Sequence, residues 1–205
     1  MKKLVSMLIV LSLVMTFAVS TASAQDDTFN ITMVMYSNAS VEFFVPVVNG
    51  AKDAAALWGV NLDIQYGNDD LVTQNNLIET AIANQVDGIA TIIQDDDALD
   101  ESICAAMAAG IPVVAFNVDD SQGAAGNCRM AFMGQNFIET GYLIGRRMIE
   151  EHGLGEGDHV LASVEVPEAV YAVQRAEGLA KALDEAGITW ELIGTGFNLA
   201  DAQTM

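Results

Sequence analysis

The sequence predicts an α/β fold, in which a parallel sheet is flanked by helices on both faces. From residue 29 onward, short apolar runs typical of buried strands alternate with longer segments of helical periodicity. Repeated strand–helix–strand units of this length favour parallel pairing, because the helix supplies the crossover that returns the chain to the same edge of the sheet.

Seven strands and five helices are predicted in this part of the chain. The strands are short apolar runs, at 29–36, 60–66, 87–93, 111–117, 129–134, 157–165 and 188–194. The helices are longer segments, at 43–58, 71–85, 97–110, 136–153 and 169–187. Glycines stand where three of them should end, at 59, 110 and 153.

Parallel sheets bind ligands at the carboxyl ends of their strands, and this rule selects five loops as site candidates. The loops are 36–43, 67–70, 94–97, 117–122 and 165–171. In the first, Phe43 and Phe44 stand side by side where a helix should begin. Successive helical residues point about 100° apart, so one apolar stripe rarely buries both. We expect one ring to pack inward and the other to line a cleft; two core phenylalanines are the alternative.

Other motifs argue against catalysis and against a metal or cofactor. The three aspartates at 95–97 favour a cap on a helix that begins at Ala98, because acidic groups suit the first turn of a helix. GLGEGD (153–158) lies after a helix rather than after a strand, so it predicts a helix stop and not a dinucleotide turn. The sequence has no nucleophile elbow, Lys-bearing phosphate loop or metal-binding His pair. We predict no enzyme; the alternative is an exported hydrolase acting through Glu165 or Asp119.

The N-terminal segment predicts export. Lys2 and Lys3 precede the apolar run LVSMLIVLSLVMTFAV, and Ala22-Ser23-Ala24 has the small-x-small pattern that signal peptidase accepts. We predict a signal peptide over 1–24, cleaved after Ala24, and a periplasmic or otherwise extracytoplasmic location; a membrane-anchoring helix is the alternative. The formal net charge of −20 argues against nucleic acid as a partner and favours a soluble monomer.

Cys104 and Cys128 are the two cysteines of the chain. In an oxidising compartment such a pair can form a disulfide, and we predict a Cys104–Cys128 bridge. The alternative is two buried thiols that do not meet. A metal site is not expected, because His152 and His159 are the only histidines and neither lies near a cysteine in sequence.

Five stretches, taken in order, carry a resemblance to a known family. They are FFVPVVNGAKDAA, VDGIATIIQDDDAL, AGIPVVAFNVDD, AFMGQNFIETGYLIGRRM and QRAEGLAKAL, and the likeness covers most of residues 29–198. The chain resembles the periplasmic sugar-binding proteins of the ribose-binding type, which feed ABC importers. The resemblance implies the type I periplasmic binding protein fold, with two Rossmann-like lobes joined by crossovers.

The family pattern also divides the chain. After the signal peptide predicted over 1–24, it implies an N-terminal lobe (25–134) and a partial C-terminal lobe (135–205), with a first crossover near 134–136. Because the sequence stops at Met205 inside a predicted helix, we expect a C-terminally truncated chain.

The resemblance further implies a monosaccharide or related polyol held between the lobes. It places a first group of residues on the ligand: Phe43, Phe44, Gln94, Asn117 and Arg175. A second group of candidates for ligand contact comprises Glu42, Asp119, Glu165 and Tyr171. A ring can stack on the apolar face of a sugar, while amides and a guanidinium bond its hydroxyls. Arg175 also attracts attention because a cation in the first turn of a helix opposes the helix dipole.

Two departures from the ribose binders bear on the ligand and its use. The loop before the paired phenylalanines is longer here and has the sequence SNASVE. Asn117-Val118 stands where those proteins carry an Asp-Arg pair, which removes one charged clamp on the sugar, so ribose itself is not the expected ligand. The expected partner is the membrane permease of an ABC importer; the alternative is a sugar-sensing component for a chemoreceptor or sensor kinase.

Overall fold

The computed structural model describes residues 28–196 and shows strands that all pair in parallel. A five-stranded sheet has the order β2-β1-β3-β4-β5, and β6 pairs with β7 in a second sheet. The strands are β1 (Asn30–Met35), β2 (Asn61–Tyr66), β3 (Gly88–Thr91), β4 (Val113–Asn117), β5 (Ala131–Gly134), β6 (His159–Val164) and β7 (Thr189–Gly194). The predicted α/β class is therefore confirmed. The predicted cleavage site after Ala24 and the segment ending at Met205 lie outside the described residues.

Helices connect successive strands, as predicted, with two additions. They are α1 (Val45–Trp58), α2 (Leu71–Ala83), α3 (Asp100–Ala108), α4 (Ala124–Asn127), α5 (Phe137–His152) and α6 (Val170–Glu185). A short 3-10 turn, Glu42–Phe44, precedes α1, and the four-residue α4 was not predicted. Gly59 and Gly153 end their helices in the left-handed conformation, at φ values of 66° and 65°, as their positions predicted. No helix within residues 28–196 is long and apolar enough to cross a membrane.

The prediction that Asp95–Asp97 cap a helix beginning at Ala98 is wrong. Helix α3 begins two residues later and has no side-chain cap. Asp95 instead accepts hydrogen bonds from the backbone N–H groups of Asp97 and Ala98, at 3.0 and 2.9 Å, and so closes a local turn. Asp96 accepts from the backbone N–H of Ser121 at 2.8 Å, which ties this loop to the loop after β4. The aspartates thus organise the loops at the sheet edge.

The five-stranded sheet has an apolar cluster on each face. One cluster joins α2 and α3 to β1, β3 and β4, and its fully buried members include Val34, Ile78, Ile103 and Val113. The other contains Met33, Met35, Phe44, Ile92, Phe116, Val118 and Phe137. Half-buried residues of α1 and of the start of α6 pack against this second cluster, including Val170 and Tyr171. Residues of the first sheet and of the start of α6 therefore meet in this cluster.

Helices α5 and α6 pack closely through glycines. A Cβ added at Gly178 would lie 1.9 Å from the carbonyl oxygen of Ile138, and one added at Gly141 would lie 2.0 Å from that of Arg175. Only glycine permits such an approach of two helix backbones. This packing brings the first turns of α6 against the start of α5.

Candidate functional site

The strand order reverses beside β1, which has β2 on one side and β3 on the other. In open parallel sheets this reversal opens a crevice at the carboxyl ends of the strands, where ligands bind. The loop after β1 carries Phe43, and the loop after β3 carries the half-buried Gln94. Asn117 ends β4 at the same edge, is half-buried, and has a left-handed backbone with φ 65°.

The two adjacent phenylalanines face different environments. Phe44 is 9% exposed and belongs to the apolar cluster under the loop, whereas Phe43 is 68% exposed. Their rings meet edge to face with centroids 5.0 Å apart. The expected division into one inward and one outward ring is confirmed, and the alternative of two core phenylalanines is wrong. That Phe43 stacks on a ligand stays a prediction, as does ligand contact by Phe44 and by its exposed neighbour Glu42.

The Arg175 guanidinium lies over an aromatic ring, and one of its N–H groups makes no hydrogen bond within the described residues. Its guanidinium carbon is 4.8 Å from the ring centroid of Phe137, the first residue of α5. Its Nε is buried and has no hydrogen-bond partner among the described residues. A buried donor without an acceptor costs free energy, so this position favours a polar ligand atom. Arg175 is the sixth residue of α6 and not in its first turn, so the dipole reasoning about it was wrong.

Tyr171 lies near the Arg175 cation and bonds to Glu165, and both residues belong to the predicted site loop 165–171. The rings of Tyr171 and Phe137 have centroids 6.4 Å apart, and the Tyr171 hydroxyl donates to Glu165 Oε2 at 3.5 Å. Burial raises the pKa of Tyr171, and the charge of Glu165 raises it further. The phenol therefore remains a hydrogen-bond donor at neutral pH.

Asp119 forms the most buried ion pair in the described part of the chain, with Arg129. Arg129 Nε donates to Asp119 Oδ1 at 2.5 Å, and the Nη2 group donates to Oδ2, which gives a two-pronged pair. The two side chains are 11% and 15% exposed. The guanidinium carbon of Arg129 also lies 5.9 Å from the ring centroid of Phe132. The sequence reasoning did not find Arg129, although it is one of only eight Lys and Arg residues in an acidic chain.

A pocket of about 360 Å³ opens where β4, β5, α5 and α6 converge. Its seven lining residues combine two rings with several polar groups, and they are Asp119, Phe132, Gly134, Gln135, Asn136, Phe137 and Gln174. Its volume falls at the lower end of the range for small-molecule sites, about 300–1,000 Å³. Asn136 also caps α5, accepting from the backbone N–H of Glu139 at 3.1 Å.

The structure brings one predicted site residue into this pocket and a second against its wall. Asp119 lines the pocket, and Arg175 stacks on Phe137, which lines it too. Phe43, Gln94 and Asn117 are not among the lining residues. Most of the lining comes from residues 132–137, which sequence reasoning missed. The signal was available, because the segment after β5 is also a carboxyl-edge loop.

The predicted disulfide between Cys104 and Cys128 is confirmed. Their Cα atoms lie 5.0 Å apart, within the range that a disulfide needs. The bridge ties α3 to the residue that follows α4 and immediately precedes Arg129. The alternative of two separate buried thiols is therefore wrong.

Asp120 is a buried carboxyl next to the ion pair. It is 3% exposed, its Oδ1 accepts from the backbone N–H of Gln122 at 2.5 Å, and its Oδ2 has no partner among the described residues. Burial raises the pKa of Asp120, and the charges of Asp96 and Asp119 add to that rise. Within residues 28–196, no group of three His, Cys, Asp or Glu side chains is arranged to hold a metal ion.

Comparison with known proteins decides the family. The profile of the periplasmic binding protein domain matches residues 31–205. The chain belongs to the periplasmic binding protein family. The sequence-based resemblance is thereby confirmed, and the arrangement of strands and helices is that of the type I periplasmic binding proteins.

Relatives of this family member include sugar-binding proteins. The chain is 30% identical to the xylose/arabinose-binding protein XylF of Sulfolobus acidocaldarius, over 79% of this chain and 41% of that protein. A periplasmic sugar-binding protein from Legionella pneumophila superimposes with a TM-score of 0.79 at 25% identity, over 86% of this chain and 64% of that one. A carbohydrate transporter from Acidothermus cellulolyticus, in complex with myo-inositol, gives 0.74 at 29% identity, over 86% and 59%. The chain thus spans less than two thirds of each relative's length.

Proposed function

We propose that this periplasmic binding protein holds a monosaccharide or related polyol between an N-terminal lobe (25–134) and a C-terminal lobe beginning at residue 135. The observation that carries the proposal is the pocket where β4, β5, α5 and α6 converge. Two phenylalanine rings and four polar side chains line it, the combination that a sugar requires.

Each part of the pocket matches one part of a sugar. The rings of Phe132 and Phe137 offer apolar faces to C–H groups, and the Asp119 carboxylate accepts hydrogen bonds from hydroxyls. Gln135 and Gln174 have amides that both donate and accept, which suits hydroxyls that do the same. A sugar oxygen near Arg175 would also satisfy the buried Nε of that side chain.

The remaining predicted residues enter the proposal through lobe closure. Phe43, Gln94 and Asn117 lie at the edge of the first sheet, outside the lining of the pocket. Closure of two lobes around a ligand excludes water and strengthens the hydrogen bonds inside. We propose that closure brings Phe43 over the sugar and that an importer permease recognises the closed form.

The names of the relatives support this ligand class. A xylose/arabinose-binding protein and a complex with myo-inositol are both found among them. The proposed ligand is therefore a neutral pentose, hexose or cyclic polyol. We also propose export to the periplasm through the N-terminal segment, and delivery of the ligand to an ABC importer.

Isothermal titration calorimetry against xylose, arabinose, myo-inositol and a hexose panel tests the proposal, with the protein expressed from its complete gene. We expect Arg175→Ala to weaken binding by about 1.5–3 kcal/mol, the scale of a hydrogen bond to a charged group. Arg147→Ala is the matched control, because Arg147 is 77% exposed and its one ion pair within residues 28–196 is with Glu151 on its own helix. We expect Phe43→Ala to weaken binding as well.

Two results would contradict the proposal. If no sugar or polyol of the panel bound the wild-type protein, the ligand class would be wrong. If a sugar bound equally well to Arg175→Ala and Phe43→Ala, the protein would bind sugar elsewhere than at this cleft.

A further inference from the structure

Arg129 stands behind the pocket and contacts two of its lining residues. It pairs with Asp119 through two nitrogens and lies over the ring of Phe132. Arg129 is itself absent from the lining, so it acts on a ligand only through these two side chains. We propose that Arg129 is a positioning and specificity residue: it orients and neutralises Asp119, so that the pocket selects neutral polyols over cationic sugars. This inference rests on the proposed function.

The hydrogen-bond capacity of Asp119 supports this assignment. An ionised carboxylate has about four acceptor positions on its two oxygens. The guanidinium of Arg129 uses one position on each oxygen, which leaves one on each for ligand hydroxyls. Because the arginine fork is planar and rigid, it fixes the plane of the carboxylate and the directions of the two free positions.

The charge of the pair supports selectivity against cations. Asp119 and Arg129 are both mostly buried, so their charges interact through little solvent and nearly cancel. Without Arg129, the pocket would present an unpaired carboxylate that attracts an ammonium group. An amino sugar therefore tests the pairing more directly than a neutral sugar does.

The Cys104–Cys128 disulfide holds Arg129 in place. Cys128 has a left-handed backbone, with φ 61°, and is linked to helix α3 directly before Arg129 in the chain. The Arg129 backbone N–H donates to Asn127 Oδ1 at 3.2 Å, and the next N–H, of Met130, donates to the Val113 carbonyl at 2.8 Å. The bridge on one side and strand pairing on the other leave the backbone at Arg129 little freedom. The disulfide thus positions Arg129, which in turn positions Asp119.

One arm of the test requires no ligand. NMR measures solvent exchange of the Arg129 Nε–H, with the exposed Arg147 Nε–H as an internal reference. We expect exchange at Arg129 to be at least about tenfold slower than at Arg147 in the wild type, as for a mostly buried charge-assisted bond. The exchange rate at Arg129 should rise toward the Arg147 rate in two variants, Asp119→Asn and the double variant Cys104→Ser/Cys128→Ser. Equal rates at the two arginines in the wild type, or no shift in either variant, would overturn the proposal.

The second arm measures selectivity. Arg129→Lys retains the charge but loses the fork, and Arg129→Gln loses both. We expect both to weaken the tightest-binding neutral sugar by about tenfold or more, the scale of a lost charge-assisted bond. Only Arg129→Gln should gain affinity for D-glucosamine relative to that sugar. Circular dichroism checks that each variant folds. If Arg129→Gln does not fold, the proposal is still overturned when Arg129→Lys binds the neutral sugar with wild-type affinity.

The two arms separate this inference from the proposed function. If no sugar binds the wild type, the proposed function fails, while the exchange rates still decide whether Arg129 and the disulfide position Asp119. If sugar binds but the Arg129 variants retain both affinity and selectivity, the proposed function stands and this inference is refuted.

Discussion

Replacement of Gly178 by alanine should separate α5 from α6. The added Cβ would lie 1.9 Å from the carbonyl oxygen of Ile138 and 2.7 Å from the backbone nitrogen of Tyr142. The first distance is more than about 1.5 Å shorter than an ordinary nonbonded contact. Both obstructing atoms belong to the backbone of a regular helix, so neither can rotate away. The two helices must move apart or the buried interface between them must open.

The size of the effect follows from two opposing contributions. Forcing extra volume into a packed interface costs about 1–3 kcal/mol, and the upper end applies here because backbone obstructs the methyl group. Against this, alanine is a better helix former than glycine by roughly 1 kcal/mol. We therefore expect the free energy of unfolding to fall by about 2 kcal/mol. Sugar binding should weaken too, because Arg175 lies one turn before Gly178 on the displaced helix.

Urea denaturation followed by far-UV circular dichroism measures this change. Gly50→Ala in α1 is the matched control, because a Cβ there would meet nothing within 4 Å. We expect the control to gain stability, by up to about 1 kcal/mol, from helix propensity alone. If Gly178→Ala were as stable as the wild type, the close approach of α5 and α6 would be refuted.

Two further predictions follow from burial. Phe44→Ala should lower the free energy of unfolding by about 3 kcal/mol, because Phe44 is 9% exposed. Phe43→Ala should change it by no more than about 0.5 kcal/mol, because Phe43 is 68% exposed. Equal losses in the two variants would show that the rings do not differ in burial. Burial raises the pKa of Asp120 above its ordinary value of 3.8, so the folded state disfavours the charged carboxylate and loses stability as pH rises from 3.8 through the raised pKa. Asp120→Asn should therefore be more stable than the wild type at neutral pH, and the difference in urea midpoint should vanish toward pH 3.8; a difference independent of pH would contradict it.

Local sequence signals predicted most of the elements but misplaced the start of α3. Within residues 28–196, the alternation of apolar runs and helical segments predicted all seven strands and five of the six α-helices. The start of α3 was misplaced by two residues, because Asp95 closes a turn of its own and Asp96 bonds to the loop after β4. The four-residue α4 is too short to have a hydrophobic period, so no pattern in the sequence could indicate it.

For the candidate site, the sequence predicted which loops lie at the ligand-binding edge of the sheet better than it predicted which side chains contact one another. The rule that ligands bind at the carboxyl ends of parallel strands selected the loop 117–122, which contains the pocket-lining Asp119. The family resemblance led to Arg175, which stacks on the pocket wall. Neither led to Arg129, since the pairing of Asp119 with a residue ten positions away depends on how the loop folds back. The loops selected by the rule do not include the lining residues at 132–137, because the segment after β5 matches the predicted crossover near 134–136.

By itself, the sequence determined the α/β class, the parallel order of strand and helix, the different directions of two adjacent phenylalanines and the only possible partner of each cysteine. The fold class, the order of elements and the directions of the two phenylalanines depend on local periodicity. The cysteine partners follow from residue type alone, because the chain has two cysteines. Only the tertiary structure decided which side chains share the pocket, which cation neutralises Asp119, and how closely α5 approaches α6. Those properties depend on contacts between residues in different elements of the chain, which arise only when the loops and helices pack together at the edge of the first sheet.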